Sequence, residues 1–345
     1  MENLDQQRYA KRARYSTVLA DEPNDLDSNS LIYNSFLASE KSEVIVTITH
    51  FSPSEFNLIW REVRQYVFRH WNAGCGQKSM VSARGLLMML FTSLKHSGTC
   101  DVGAAVFKQK PRTFEKRVMS FLTVLHPYLM RTFIAAVEQK WPMKAHAESG
   151  HRFKNFTAAR YATDVTFHGK HSLDEHKVEV SMVPNGFAID CTKFYKGSVS
   201  EKTIFDENID PHLAKLAKRT GERTLKDSEP GMEQWAVLAD KGYQGIRLNH
   251  RAVLPLRSRD RVIIENYFGQ LKTPWATFSD TYRWSRMSCD IVLKACLALT
   301  NVDVRIHALR AEDVDVNAQY IGRRNRRKDL QDEERRWERR HRTWL

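Results

Sequence analysis

From residue 51 to about 141 the apolar positions recur at helical spacing. Leu86, Leu87, Leu90, Phe91 and Leu94 form one stripe that stops at Gly98. Phe114, Val118, Phe121, Leu122 and Leu125 form a second. Between them lie a short apolar segment (102–107) and the turn KQKP (108–111). Pro111 suits the first position of the next helix, where its fixed φ and missing N–H cost little. Arg112, Lys116 and Arg117 stay outside the buried stripe. Helix, tight turn and basic helix predict a helix-turn-helix-like unit whose second helix enters a major groove. The plainer reading is an ordinary helical bundle with a solvated basic face.

After residue 150 the period shortens to two. In 161–167 Thr163, Val165 and Phe167 share one face and Ala162, Asp164 and Thr166 the other. Residues 176–183 alternate as well, PNG (184–186) signals a turn, and 187–194 reads as a third strand. A helical stretch follows through Ile204, Phe205, Ile209, Leu213 and Leu216. Short strands are expected at 235–239 and 251–256, and closing helices at 262–272 and 288–310. This order of strands and helices predicts an α/β, ribonuclease-H-like domain, a mixed sheet flanked by helices, preceded by an all-α region.

The 345 residues leave room for two ordinary domains. The organisation expected is a disordered tail at 1–44, a helical DNA-binding region at 45–150, a ribonuclease-H-like domain at 151–312 and a basic tail at 313–345. A net charge of +13 points to an anionic partner, most simply nucleic acid. No run of about 18 apolar residues is evident, so no membrane partner is expected. The start of the chain has no signal-peptide core. Five cysteines, with no C-x-x-C pair, argue against a zinc or disulfide framework and for a reducing compartment. KRAR (11–14) is compatible with nuclear import. Residues 320–345 hold ten Lys/Arg and five acids, either a solvated helix or further phosphate contacts.

Three carboxylates stand in costly places. Asp164 lies mid-strand, where the pleat fixes its direction. Asp240 ends a buried strand, where α/β sheets place ligands. Glu265 lies in a helix, with Asp260 as the expected N-cap. Gly269 and Lys272 follow on the same face, leaving room for a close approach and offering a cation. Two Asp and one Glu from separate elements are the usual oxygen ligands of paired Mg²⁺ ions about 3.5–4 Å apart. Each also has a common structural role, as turn former or surface ion pair, and Asp190, Asp206 and Glu179 compete for any metal.

The motifs TDVTF (163–167), KVEVS (177–181), PNG (184–186), GSVS (197–200), ADKGY (239–243) and RVIIENYFGQLK (261–272) occur in this order. In them the chain resembles the Harbinger-type DDE transposases and their domesticated relatives, the DDE superfamily endonucleases, over roughly residues 156–297. The resemblance implies divalent-metal (Mg²⁺ or Mn²⁺) cleavage and joining of DNA strands and nuclear work. Asp164, Asp240 and Glu265 match the family's catalytic and metal-binding trio. Double-stranded DNA, as transposon ends and target, is the implied partner, with room for a helper DNA-binding protein and for an oligomer. Arg112, Lys116, Arg117 and Lys272 are the DNA-contact candidates. Two departures stand out. Ser200-Glu201 replace the family's His-Asp, and Asp240 and Glu265 are only 25 positions apart, closer than is usual there. The shortened segment favours a rival reading, a catalytically silent descendant acting as a DNA- or protein-binding module.

Overall fold

The computed structural model describes residues 30–38, 42–75, 78–96, 100–168, 176–222, 234–246, 252–255, 259–279 and 288–309. The sequence-derived expectations for 1–29, including KRAR, and for 313–345 lie outside them. One compact unit spans Pro23–Val302, and residues from Asp303 onward belong to a second.

The helical region begins with α1 (Leu31–Ala38), α2 (Ser42–Thr49), α3 (Pro53–His70) and α4 (Ala83–His96). α1 and the start of α2 fall inside the stretch expected to be a disordered tail. Tyr33 accounts for the order of α1. It is buried, stacks on Phe56, donates to Asn57 Oδ1 at 3.2 Å and lies under the Arg84 guanidinium. Ser52 and Glu55 start α3 with a reciprocal capping box, and Pro53 sits in its first turn. α4 is buried continuously from Arg84 to Leu94, with α2, α3 and the helix α6 (Pro111–Met130) packed around it.

Before α6 comes α5 (Cys100–Val106), and the turn between them passes through Lys108 at φ 52°. Gly103 in α5 lies against the Phe114 ring. A Cβ there would sit 2.8 Å from two ring carbons, so only glycine allows the two helices this close. α6 runs on through a π-helical turn (Arg131–Ala135) into α7 (Ala136–Lys140). This continuous helix is long and apolar enough, by length and composition, to cross a membrane, which the sequence pattern had not suggested. Its stripe of Phe114, Val118, Phe121, Leu122, Leu125 and Leu129 is buried against α3 and α4, as in a core helix. α8 (Met143–Ser149) ends at Gly150 in the left-handed region, φ 74°.

The sheet comprises β1 (Ala159–His168), β2 (His176–Met182), β3 (Ala188–Cys191), β4 (Tyr195–Lys196), β5 (Ala236–Leu238) and β6 (Ala252–Val253). Its order is β3-β2-β1-β5-β6, with β4 also on β2. β1, β2 and β3 are antiparallel neighbours, whereas β5 runs parallel to β1 and β6 to β5. Helices α9 (Glu201–Glu207), α10 (Ile209–Leu216), α11 (Val262–Lys272), α12 (Ala276–Ser279) and α13 (Cys289–Ile306) accompany it. A mixed sheet with these helices is the ribonuclease-H-like arrangement expected from the sequence.

One expected helix at 204–216 is two, because Asn208 leaves helical geometry and its Nδ2 donates to the Tyr195 hydroxyl and to Ile204 O. The sheet-bearing part rests on α4. Thr277 of α12 donates to Leu94 O at 3.1 Å, and Trp275 packs on His50 and Phe51.

Candidate active site

The register of β1 against β5 places the two aspartates. Ala162 is level with Leu238, so two residues further along each strand Asp164 and Asp240 reach the same height at the carboxyl end of the sheet. Val165 N–H donates to Asp164 Oδ1 at 2.8 Å. Asp240 begins a 3₁₀ turn (Lys241–Tyr243) and accepts from Lys241 N–H. Each carboxylate is thus oriented by the backbone that follows it.

One guanidinium lies between them. Arg261 Nη1 donates to Asp240 Oδ1 at 2.9 Å, and Nη2 to Asp164 Oδ2 at 3.5 Å. Burial pushes the Asp164 carboxyl up to about 6. The Val165 N–H and Arg261 pull it down, whereas Asp240 and Glu201 push it further up.

Glu265 lies one turn beyond Arg261 in α11 and is exposed. It does not close a ligand group with the aspartates. Among the described residues no group of three or more His, Cys, Asp or Glu is placed to hold a metal ion. The structure brings Asp164 and Asp240 together, with Glu265 on the neighbouring helix. Two carboxylates brought together need a positive partner, and Arg261 supplies it here. An oxygen-only pair that already gathers a cation suits a hard divalent ion such as Mg²⁺ or Mn²⁺.

The expectation for Asp260 is corrected. It is not the N-cap of α11, whose cap position is Arg261 with no side-chain bond. Its carboxylate instead accepts from Lys154 N–H and Asn155 N–H at 3.2 and 2.8 Å, fixing the start of this helix to the segment before β1. A Cβ on Gly269 would meet open space.

The competing acids are engaged elsewhere. Asp190 pairs with Lys215 at 2.6 Å, Asp206 with Lys202, and Glu179 with His212 at 2.7 Å in a buried group that includes Tyr161.

Sequence reasoning missed two residues. Arg261 appeared only as the first residue of the motif 261–272, and nothing local marks it as the bridge between aspartates 97 and 21 positions away. Glu201 stood out only as a departure from the family's His-Asp. Burial, with Asp240 and Glu179 adding to it, raises its carboxyl, which lies close to the pair. A Cβ on Gly242 would collide with that carboxylate, so glycine in the ADKGY motif makes room for Glu201.

On the helical region, Arg112 and Lys116 are exposed on α6, and Arg117 donates to Gln109 Oε1 at 2.8 Å in the preceding turn. Lys272 at the end of α11 is half-buried, which lowers its pKa. No curated protein and no solved structure gives a significant match to the chain. Residues 153–301, which hold the whole sheet, Asp164, Asp240, Arg261 and Glu265, match the family model described as DDE superfamily endonuclease.

Proposed function

We propose that the protein is a Harbinger-type, transposase-derived DNA nuclease that works in the nucleus with Mg²⁺ or Mn²⁺. The observation carrying this reading is the β1–β5 register, which brings two carboxylates from separate strands to one cation-binding position. Asp164 and Asp240 would hold the ion through oxygen, with Val165 N–H and Lys241 N–H keeping each carboxylate in orientation. Glu265 would complete the set from α11. A divalent ion supplies Lewis acidity for in-line attack on a phosphodiester. Arg112, Lys116 and Arg117 on α6, with Lys272 beyond Glu265, would take phosphate contacts that position duplex DNA without reading its sequence.

The test is nicking of supercoiled DNA in Mn²⁺. Wild type should nick, and Asp164→Asn and Asp240→Asn should not, while both variants keep duplex affinity. The silent DNA-binding module draws support from Glu265 lying outside the aspartate pair. Salt-sensitive duplex binding by wild type, with no cleavage in either Mg²⁺ or Mn²⁺, would establish that reading instead.

A further inference from the structure

We propose that Arg261 is the resident counter-cation of the Asp164–Asp240 pair, and that a divalent ion binds only by displacing its guanidinium. This rests on the metal-nuclease reading above. It adds a gate that the trio alone does not contain.

The geometry is that of competition for one position. The guanidinium reaches Asp240 Oδ1 and Asp164 Oδ2 with separate nitrogens, so it bridges carboxylates from two strands as a metal ion would. Its side chain is 15 % exposed, less than the 37 % of Asp240 and close to the 16 % of Asp164, so the positive charge is largely shielded from water. A divalent ion and a guanidinium cannot share this space, because like charges at contact distance repel strongly where water is excluded.

The backbone need not move for the exchange. Asp260 ties the 3₁₀ turn Arg259–Arg261 to Lys154 N–H and Asn155 N–H, so rotation of the Arg261 side chain is sufficient. Glu265 lies four residues on, on the same helical face. Departure of Arg261 frees the oxygens Asp164 Oδ2 and Asp240 Oδ1 together. Loss of the guanidinium and binding of the divalent ion become one event, and the metal-free protein is spared the repulsion of two bare aspartates.

The test is Mn²⁺ titration by calorimetry on metal-free wild type, Arg261→Gln and Arg261→Lys, with thermal melts in chelator. Arg261→Gln removes the competing charge, and Mn²⁺ should bind it about tenfold or more tightly than wild type, the usual size of a direct coupling. Its metal-free form should melt lower. Arg261→Lys keeps the charge without the two-nitrogen fork, and its affinity should fall between the two. If Arg261→Gln does not fold without metal, tighter binding by Arg261→Lys than by wild type still supports the gate. Equal or weaker Mn²⁺ affinity in the folded variants overturns the gate and leaves the nuclease reading intact. Folded wild type and variants that all ignore Mn²⁺ overturn both.

Discussion

Replacing Asn301 by leucine removes one side chain that serves three parts of the molecule. Asn301 lies in α13 and is 2 % exposed. Its Nδ2 donates to Phe133 O in the π-helical turn and to Ala188 O in β3, each at 2.7 Å. Its Oδ1 accepts from Ala188 N–H at 2.9 Å and from the Tyr267 hydroxyl at 3.3 Å. The amide therefore pairs with both backbone groups of Ala188 as a neighbouring strand would. It also ties the edge of the sheet to the helical region and to the helix that carries Glu265. Leucine is close in volume, so the loss is chiefly polar. Each buried backbone group deprived of its partner costs about 1–3 kcal/mol, and three such groups give about 3–5 kcal/mol after partial relaxation. Urea unfolding followed by far-ultraviolet circular dichroism measures it. The midpoint should fall with the denaturant slope unchanged. A loss below about 1 kcal/mol would refute the claim that these bonds hold the two regions together.

Three further outcomes are expected. Gly103→Ala should lose about 1–3 kcal/mol, because the new Cβ meets the Phe114 ring, and duplex affinity should fall with it; an unchanged melting temperature would contradict the close packing. Arg112→Glu with Lys116→Glu should flatten the salt dependence of duplex binding, since both residues are exposed on α6; an unaltered slope would move the phosphate contacts elsewhere. Burial, reinforced by Arg160, His151 and Arg152, pushes the His146 imidazole down to about 3. The folded value lies below the unfolded one of about 6.5, so the unfolded chain takes up the proton first. Stability is full above about pH 6.5 and falls as pH drops toward 3, by up to about 5 kcal/mol, and His146→Leu should flatten that acid limb in melts between pH 7 and 4. An identical acid limb in the variant would refute the neutral, buried ring.

Much of the sheet was legible because burial on a pleated surface leaves a period of two. The expected strand at 161–167 lies within β1, and Asp164 was correctly placed in mid-strand. Turn chemistry found PNG, and Pro111 opens α6 as its fixed φ predicts. What could not be read was tertiary pairing. Arg261 is one of 54 Lys/Arg, and its position is set by a helix start that Asp260 docks on Lys154 N–H, 106 positions earlier in the chain. α1 was missed because its order comes from Tyr33 fitting between Phe56 and Arg84, not from a long apolar stripe of its own. Glu201 was missed for the same reason, since its meaning lies in the gap left by Gly242.

The claim that Asp164 and Asp240 form a metal centre is tested most directly by anomalous diffraction from crystals of the protein grown with Mn²⁺. The account predicts a peak shared by the two aspartate carboxylates, with the Arg261 side chain turned away from both. No peak there, with the Arg261 guanidinium still joined to both aspartates in Mn²⁺, would contradict it.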